Sequence, residues 1–142
     1  MGFSNTFCKK LNSFPNLIEI NMSFKQVKDS GLIELAKLEK LEKLITSQDS
    51  LISVTQNGLT NFFGICKNLK FVDISGSSAI NTEAIQMLAD NNENLSHLYL
   101  DTYLLPGSVI KYVINKCKIE VFKFTPSLII TKDNIPNIRK YC

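Results

Sequence analysis

The sequence predicts an α/β solenoid of about five strand–turn–helix units, and three observations carry that prediction. A six-residue frame recurs at a near-constant interval, a strand-like frame precedes each copy, and the apolar period changes from two to three after it. The recurring frame reads Val27-Lys28-Asp29-Ser30-Gly31-Leu32, Val54-Thr55-Gln56-Asn57-Gly58-Leu59, Ile80-Asn81-Thr82-Glu83-Ala84-Ile85, Leu105-Pro106-Gly107-Ser108-Val109-Ile110 and Ile130-Thr131-Lys132-Asp133-Asn134-Ile135. Its starts fall 27, 26, 25 and 25 residues apart, an interval typical of solenoids whose units bury their apolar faces only by stacking on one another.

The strand of each unit comes first. It reads Leu17-x-x-Ile20-x-Met22, Leu41-x-x-Leu44-x-Thr46, Leu69-x-x-Val72-x-Ile74, Leu95-x-x-Leu98-x-Leu100 and Ile119-x-x-Phe122-x-Phe124, with Thr46 the one break in the apolar pattern. Alternation at period two suits a half-buried strand, because successive side chains point to opposite faces. The helix follows. Leu59 and Phe62, Ile85 and Leu88, Ile110 and Val113, and Ile135 and Ile138 are each three apart, which puts each pair on one side of a short helix. Thr55, Asn81 and Thr131 are placed to cap free amides, Pro106 suits an opening turn, and Asp29 is the better cap where Lys28 is a poor one. Two readings fit Leu32–Leu44: one continuous amphipathic helix, or a helix that the repeat interval ends near Lys40. Between Thr46 and Val54 the connection is longer than its counterparts and predicts an outward loop.

Bulk properties bound the function. The chain has 142 residues, 44% hydrophobic and 20% charged, enough for one buried core. No apolar run is long enough for a transmembrane helix, and the start MGFSNTFCKK is unlike a secretory signal. The net charge of +3 arises from lysines spread among glutamates with a single arginine, Arg139, so no nucleic-acid surface is expected. The four cysteines, Cys8, Cys66, Cys117 and Cys142, are far apart and there is one histidine, His97, so neither a metal site nor another cofactor is expected and reduced intracellular thiols are. His97 has no nucleophile signature around it, and a non-enzyme is expected. Gly2 with Thr6 matches a loose myristoylation pattern, and Asn21 and Asn94 begin glycosylation-like triplets on expected strands; neither motif is assigned a role.

Together the two frames resemble the leucine-rich repeat family in its cysteine-containing subclass, which joins an L-x-x-L-x-L strand to an I-T-D-x-G-L-like helix start and places cysteine near the helix end. Here Cys66, Cys117 and Cys142 each stand seven residues after Leu59, Ile110 and Ile135, with Glu39 and Asn92 at the matching positions of the other units. The resemblance covers residues 14–142; residues 1–13 are expected to form a cap or the remnant of an earlier repeat, closed by Phe7-Cys8. It implies a curved parallel sheet on the concave side and short helices on the convex side. The residues between the apolar strand positions would then face outward in two rows, one of Glu19, Lys43, Phe71, His97 and Val121, the other of Asn21, Ile45, Asp73, Tyr99 and Lys123. Ser23, Ser47, Ser75, Asp101 and Thr125 would lie just beyond. Phe71, Asp73, His97, Tyr99, Ile45, Lys43 and Lys123 are the expected partner-binding residues. The resemblance implies a protein partner, such as a substrate of an F-box/leucine-rich-repeat ubiquitin ligase receptor, although no F-box is recognisable; a stand-alone adaptor, inhibitor or assembly factor is the alternative. A cytoplasmic or nuclear setting is expected.

Overall fold

A computed structural model describes residues 4–46, 51–101, 105–125, 128–131 and 133. In order they form α1 (Asn5–Leu11), β1 (Glu19–Met22), α2 (Asp29–Leu35), β2 (Lys43–Thr46), α3 (Gln56–Ile65), β3 (Phe71–Asp73), α4 (Thr82–Asn91), β4 (His97–Asp101), α5 (Gly107–Lys116), β5 (Val121–Thr125) and β6 (Leu128–Thr131). The six strands make one sheet in chain order. β1 to β5 are parallel, as strands joined by helical crossovers must be, and β6 runs antiparallel beside β5.

The apolar alternation is what turns the strands into a layer. Ile20, Leu44, Val72, Leu98 and Phe122 are register partners across β1 to β5, and all five are buried. They join Leu32, Leu35, Leu59, Phe62, Ile85, Leu88 and Val113 of the helices in one cluster, so the helices cover this face of the sheet. The helices pack in sequence, α1 on α2, α2 on α3, α3 on α4 and α4 on α5. Burial of each aliphatic side chain contributes about 1.5 to 3 kcal/mol relative to exposure, which makes this cluster the main source of stability.

Helix starts are tied from one unit to the next. Thr55 accepts the Gly58 N–H at 3.0 Å and Asn81 accepts the Ala84 N–H at 2.8 Å, as expected of N-caps. Asp29 does not cap its own helix. Its carboxylate reaches forward and accepts the Thr55 N–H at 2.8 Å and the Thr55 hydroxyl at 2.5 Å. Asn5 makes the equivalent link in the preceding unit, where Lys28 provides no side-chain cap: it accepts the Lys28 N–H at 2.9 Å and donates to Ser30 Oγ at 2.9 Å. The glycine of the frame follows from this. A Cβ on Gly58 would overlap the Asp29 carboxylate, and one on Gly31 would meet Asn5 Oδ1 at 2.5 Å.

At the helix ends, buried Asn92 stands where other units carry cysteine. Its side chain accepts the Leu69 N–H at 2.8 Å and donates to the Cys66 and Leu88 carbonyls at 2.9 Å each. The Cys117 thiol, in the following unit, donates to the Asn92 carbonyl at 3.3 Å. Both side chains therefore satisfy backbone groups at a buried helix end, where an open acceptor would be costly.

One open reading is settled and two expectations, the helix end near Lys40 and the fifth helix start, are corrected. Leu32–Leu44 is not one helix, and α2 stops at Leu35, before Lys40. Successive turn bonds, Leu38 N–H to the Leu35 carbonyl at 3.0 Å and Leu41 N–H to the Leu38 carbonyl at 3.1 Å, bring Leu38 and Leu41 into the core instead. The fifth frame does not open a helix: Ile130 and Thr131 belong to β6, paired with Phe122 and Val121. Thr131 is thus no N-cap, the β-branched run Ile129-Ile130-Thr131 suiting a strand better, and β5 is followed by a returning strand. The expected Ile135–Ile138 helix and Cys142 lie outside the described residues, as do residues 47–50 of the long connection. The rest of that connection holds Leu51 and Val54 in the core and exposes Ile52.

Candidate interaction surface

The face of the sheet opposite the helices carries both expected rows in register. Glu19, Lys43, Phe71, His97 and Val121 are successive partners, and so are Asn21, Ile45, Asp73, Tyr99 and Lys123. Because residues of one row sit on adjacent strands, their side chains touch. The Phe71 and His97 rings stack with centroids 5.1 Å apart and planes 17° from parallel. Tyr99 sets its ring edgewise to Phe71 at 5.2 Å and to His97 at 6.5 Å. Lysines close the cluster at both ends, Lys43 Nζ lying 4.9 Å from the Phe71 centroid and Lys123 Nζ 5.6 Å from that of Tyr99. Such contacts hold both ammonium groups over aromatic faces. Lys43 also pairs with Glu19 at 3.5 Å, so the first row is a continuous chain of contacts over four strands.

The rings are half-buried, neither sealed in the core nor fully exposed. Their orientation is fixed from below. Ser96 Oγ lies 2.8 Å from His97 Nδ1 and donates to the Lys70 carbonyl at 3.0 Å, anchoring the imidazole to the sheet. The role of Ser96 could not be read from the rows, since it precedes the strand; its adjacency to His97 was the only signal. With its hydroxyl engaged by the Lys70 carbonyl, Ser96 positions the His97 ring.

The acids on this face are less available than their rows suggest. Asp73 accepts the Ser75 N–H at 3.1 Å, and its carbonyl accepts the Thr46 hydroxyl at 3.2 Å. Asp101 accepts the Gly76 N–H at 2.6 Å, fixing the turn after β3 where Gly76 adopts a φ of 83°. That left-handed conformation favours glycine. Asp73 thus shapes the rim, while Ile45 lies beside it in register as an apolar shoulder and Lys43, Phe71, His97, Tyr99 and Lys123 form the connected cluster.

The cysteines lie elsewhere. Cys8, Cys66 and Cys117 are free and buried, and burial pushes their thiols up to about 11, 12 and 12. They are therefore protonated near neutral pH, which suits packing and hydrogen-bond donation rather than nucleophilic attack. Among the described residues no group of three histidine, cysteine, aspartate or glutamate side chains could hold a metal ion, and no helix is long and apolar enough to cross a membrane. No protein-family model matches this chain, and no curated protein shows significant similarity to it.

Proposed function

We propose that the chain is a cysteine-containing leucine-rich repeat solenoid that acts as a non-enzymatic protein-interaction module through the open face of its sheet. The observation that carries this reading is the Phe71–His97–Tyr99 cluster, held on adjacent parallel strands and flanked by Lys43 and Lys123. Aromatic side chains already ordered by their neighbours lose little rotamer freedom on binding, and partly exposed rings still have area to bury. The reduced, buried thiols favour an intracellular setting, cytoplasmic or nuclear. Within the resemblance, the role is recognition of a substrate for an F-box/leucine-rich-repeat-type ubiquitin ligase, with a stand-alone adaptor, inhibitor or assembly factor as the alternative.

Quantitative affinity purification with the intact chain, the Phe71→Ala/Tyr99→Ala double variant and an Ile33→Ser control on the helix side tests this reading. Loss of both rings removes about 2 kcal/mol or more at an interface centre, at least about a thirtyfold drop in affinity. Partners lost in the double variant but kept by the control support the open face. Co-recovery of a ubiquitin-ligase adaptor supports the receptor role, and partner retention without one supports the adaptor role. An unchanged partner set in the double variant overturns the reading.

A further inference from the structure

The helix side of the molecule carries a second surface, independent of the aromatic cluster. α2 has seven residues where α3, α4 and α5 have ten each. Past Leu35 the chain takes Leu38 and Leu41 into the core by tight turns, and between these turns and the end of α3 lies a groove of about 590 Å³. Leu38 and Cys66 belong to its buried lining. Ile33 of α2 and Ile65 of α3 line it too, and each is 52% exposed. Single exposed aliphatic side chains are ordinary, but two of them on one apolar groove make a contiguous patch, which is what marks an interaction site.

The charges around the groove decide what covers it. Lys37 is engaged by Glu34 at 2.9 Å. Lys67 and Glu39 line the same groove, both are exposed, and neither side chain has an ion pair or hydrogen bond among the described residues. Asn68 donates to the Glu39 main-chain carbonyl at 2.7 Å, which ties the two sides of the groove together and leaves the carboxylate open. One open cation and one open anion therefore share the rim, and their charges cancel. An anionic partner would face Glu39 with like charge, and a cationic one would so face Lys67. Only a surface carrying both signs in the opposite order satisfies the pair, and an exact copy turned about a two-fold axis is such a surface, because each residue then meets the counterpart of its own neighbour.

We infer that two copies of the chain associate through this groove as a two-fold dimer, Ile33 and Ile65 of each packing on the groove of the other and Glu39 of each pairing with Lys67 of the other. The isoleucines supply what the charges lack. Their exposed halves leave water only when something larger than the groove's own contents lies over them, and a second helix side does so. The sheet face that carries Phe71, His97 and Tyr99 is on the opposite side from the helices, so the dimer leaves it open.

Sedimentation velocity of the intact chain across the micromolar range should show a reversible monomer–dimer equilibrium. Lys67→Glu and Glu39→Lys each set like charges against one another across the axis, and each should weaken self-association at least about tenfold. Mixed in equal amounts, the two single variants face each other with opposite charges at both contacts, so the heterodimer should recover at least the original affinity. Ile65→Ser should weaken the dimer at least about tenfold as well, with an unchanged circular dichroism spectrum, since the side chain is exposed in the monomer. Phe71→Ala/Tyr99→Ala should dimerise normally. A chain that stays monomeric throughout, charge reversals without effect, no recovery on mixing, or a dimer lost with the two rings and kept with Ile65→Ser overturns the inference.

Discussion

A single methyl group at Gly58 reports on the whole linkage between units. Alanine is the better helix former by about 1 kcal/mol, yet its Cβ would collide with the Asp29 carboxylate that holds Thr55. Gly58→Ala should therefore destabilise the fold by about 2 kcal/mol, as lost caps and disturbed bonds usually do, measured from urea midpoints. In an Asp29→Ala background the same change should be neutral or favourable, a coupling that an additive pair would not show. Asn92 gives a parallel test. Asn92→Ala leaves the buried Leu69 N–H without its acceptor and should cost about 2 to 3 kcal/mol; Asn92→Cys should cost less, because the Cys117 thiol shows that a cysteine can serve neighbouring carbonyls. The thiols also set an alkaline limit. Cys66 is raised from an ordinary 9.0 to about 12, so its contribution is complete below pH 9 and is lost as pH climbs toward 12. The urea midpoint should fall over that window, and fall less steeply in Cys66→Ala, although that variant starts lower.

Elements differ in how plainly the sequence announces them. The strand rows were legible residue by residue because a parallel ladder with one buried face admits no slip: moving a strand by one residue would expose its leucines. Thr55 and Asn81 were legible for a similar reason, since a cap acts within three residues of itself. Asp29 was not, because its partners belong to the next unit and only the fold brings them together. α2 was left between two readings by its leucines, which continue at helical spacing past Leu35 but enter the core from turns. At β6 the frame matched in letters while Ile129 and Ile130, both β-branched, favoured extension. Asn5 tests α1 as an element: Asn5→Ala removes its bonds to Lys28 and Ser30 and should cost about 1 kcal/mol, with faster amide exchange concentrated at the start of α2.

Across the molecule, the candidate site was half visible before the fold was known. Which side chains share the open face followed from period two alone. That Phe71, His97 and Tyr99 form one cluster depends on which strands adjoin, and the engagement of Asp73 and Asp101 in turns depends on backbone geometry after the strands. Because the rings are half-exposed and the core lies on the other side of the sheet, Phe71→Ala/Tyr99→Ala should shift the thermal midpoint by only a few degrees, on the order of 1 kcal/mol, while the proposed partner binding weakens at least about thirtyfold. The helix stack has a different consequence. Each helix packs on the one before and the one after, and each forward cap spans a single step of the chain. A tandem duplication of one unit, inserted in frame after Asn92, would therefore meet at both ends the same kind of surface that its parent met. The fold can lengthen by whole units, gaining open sheet surface with each, and is least forgiving of insertions that are not a whole unit long.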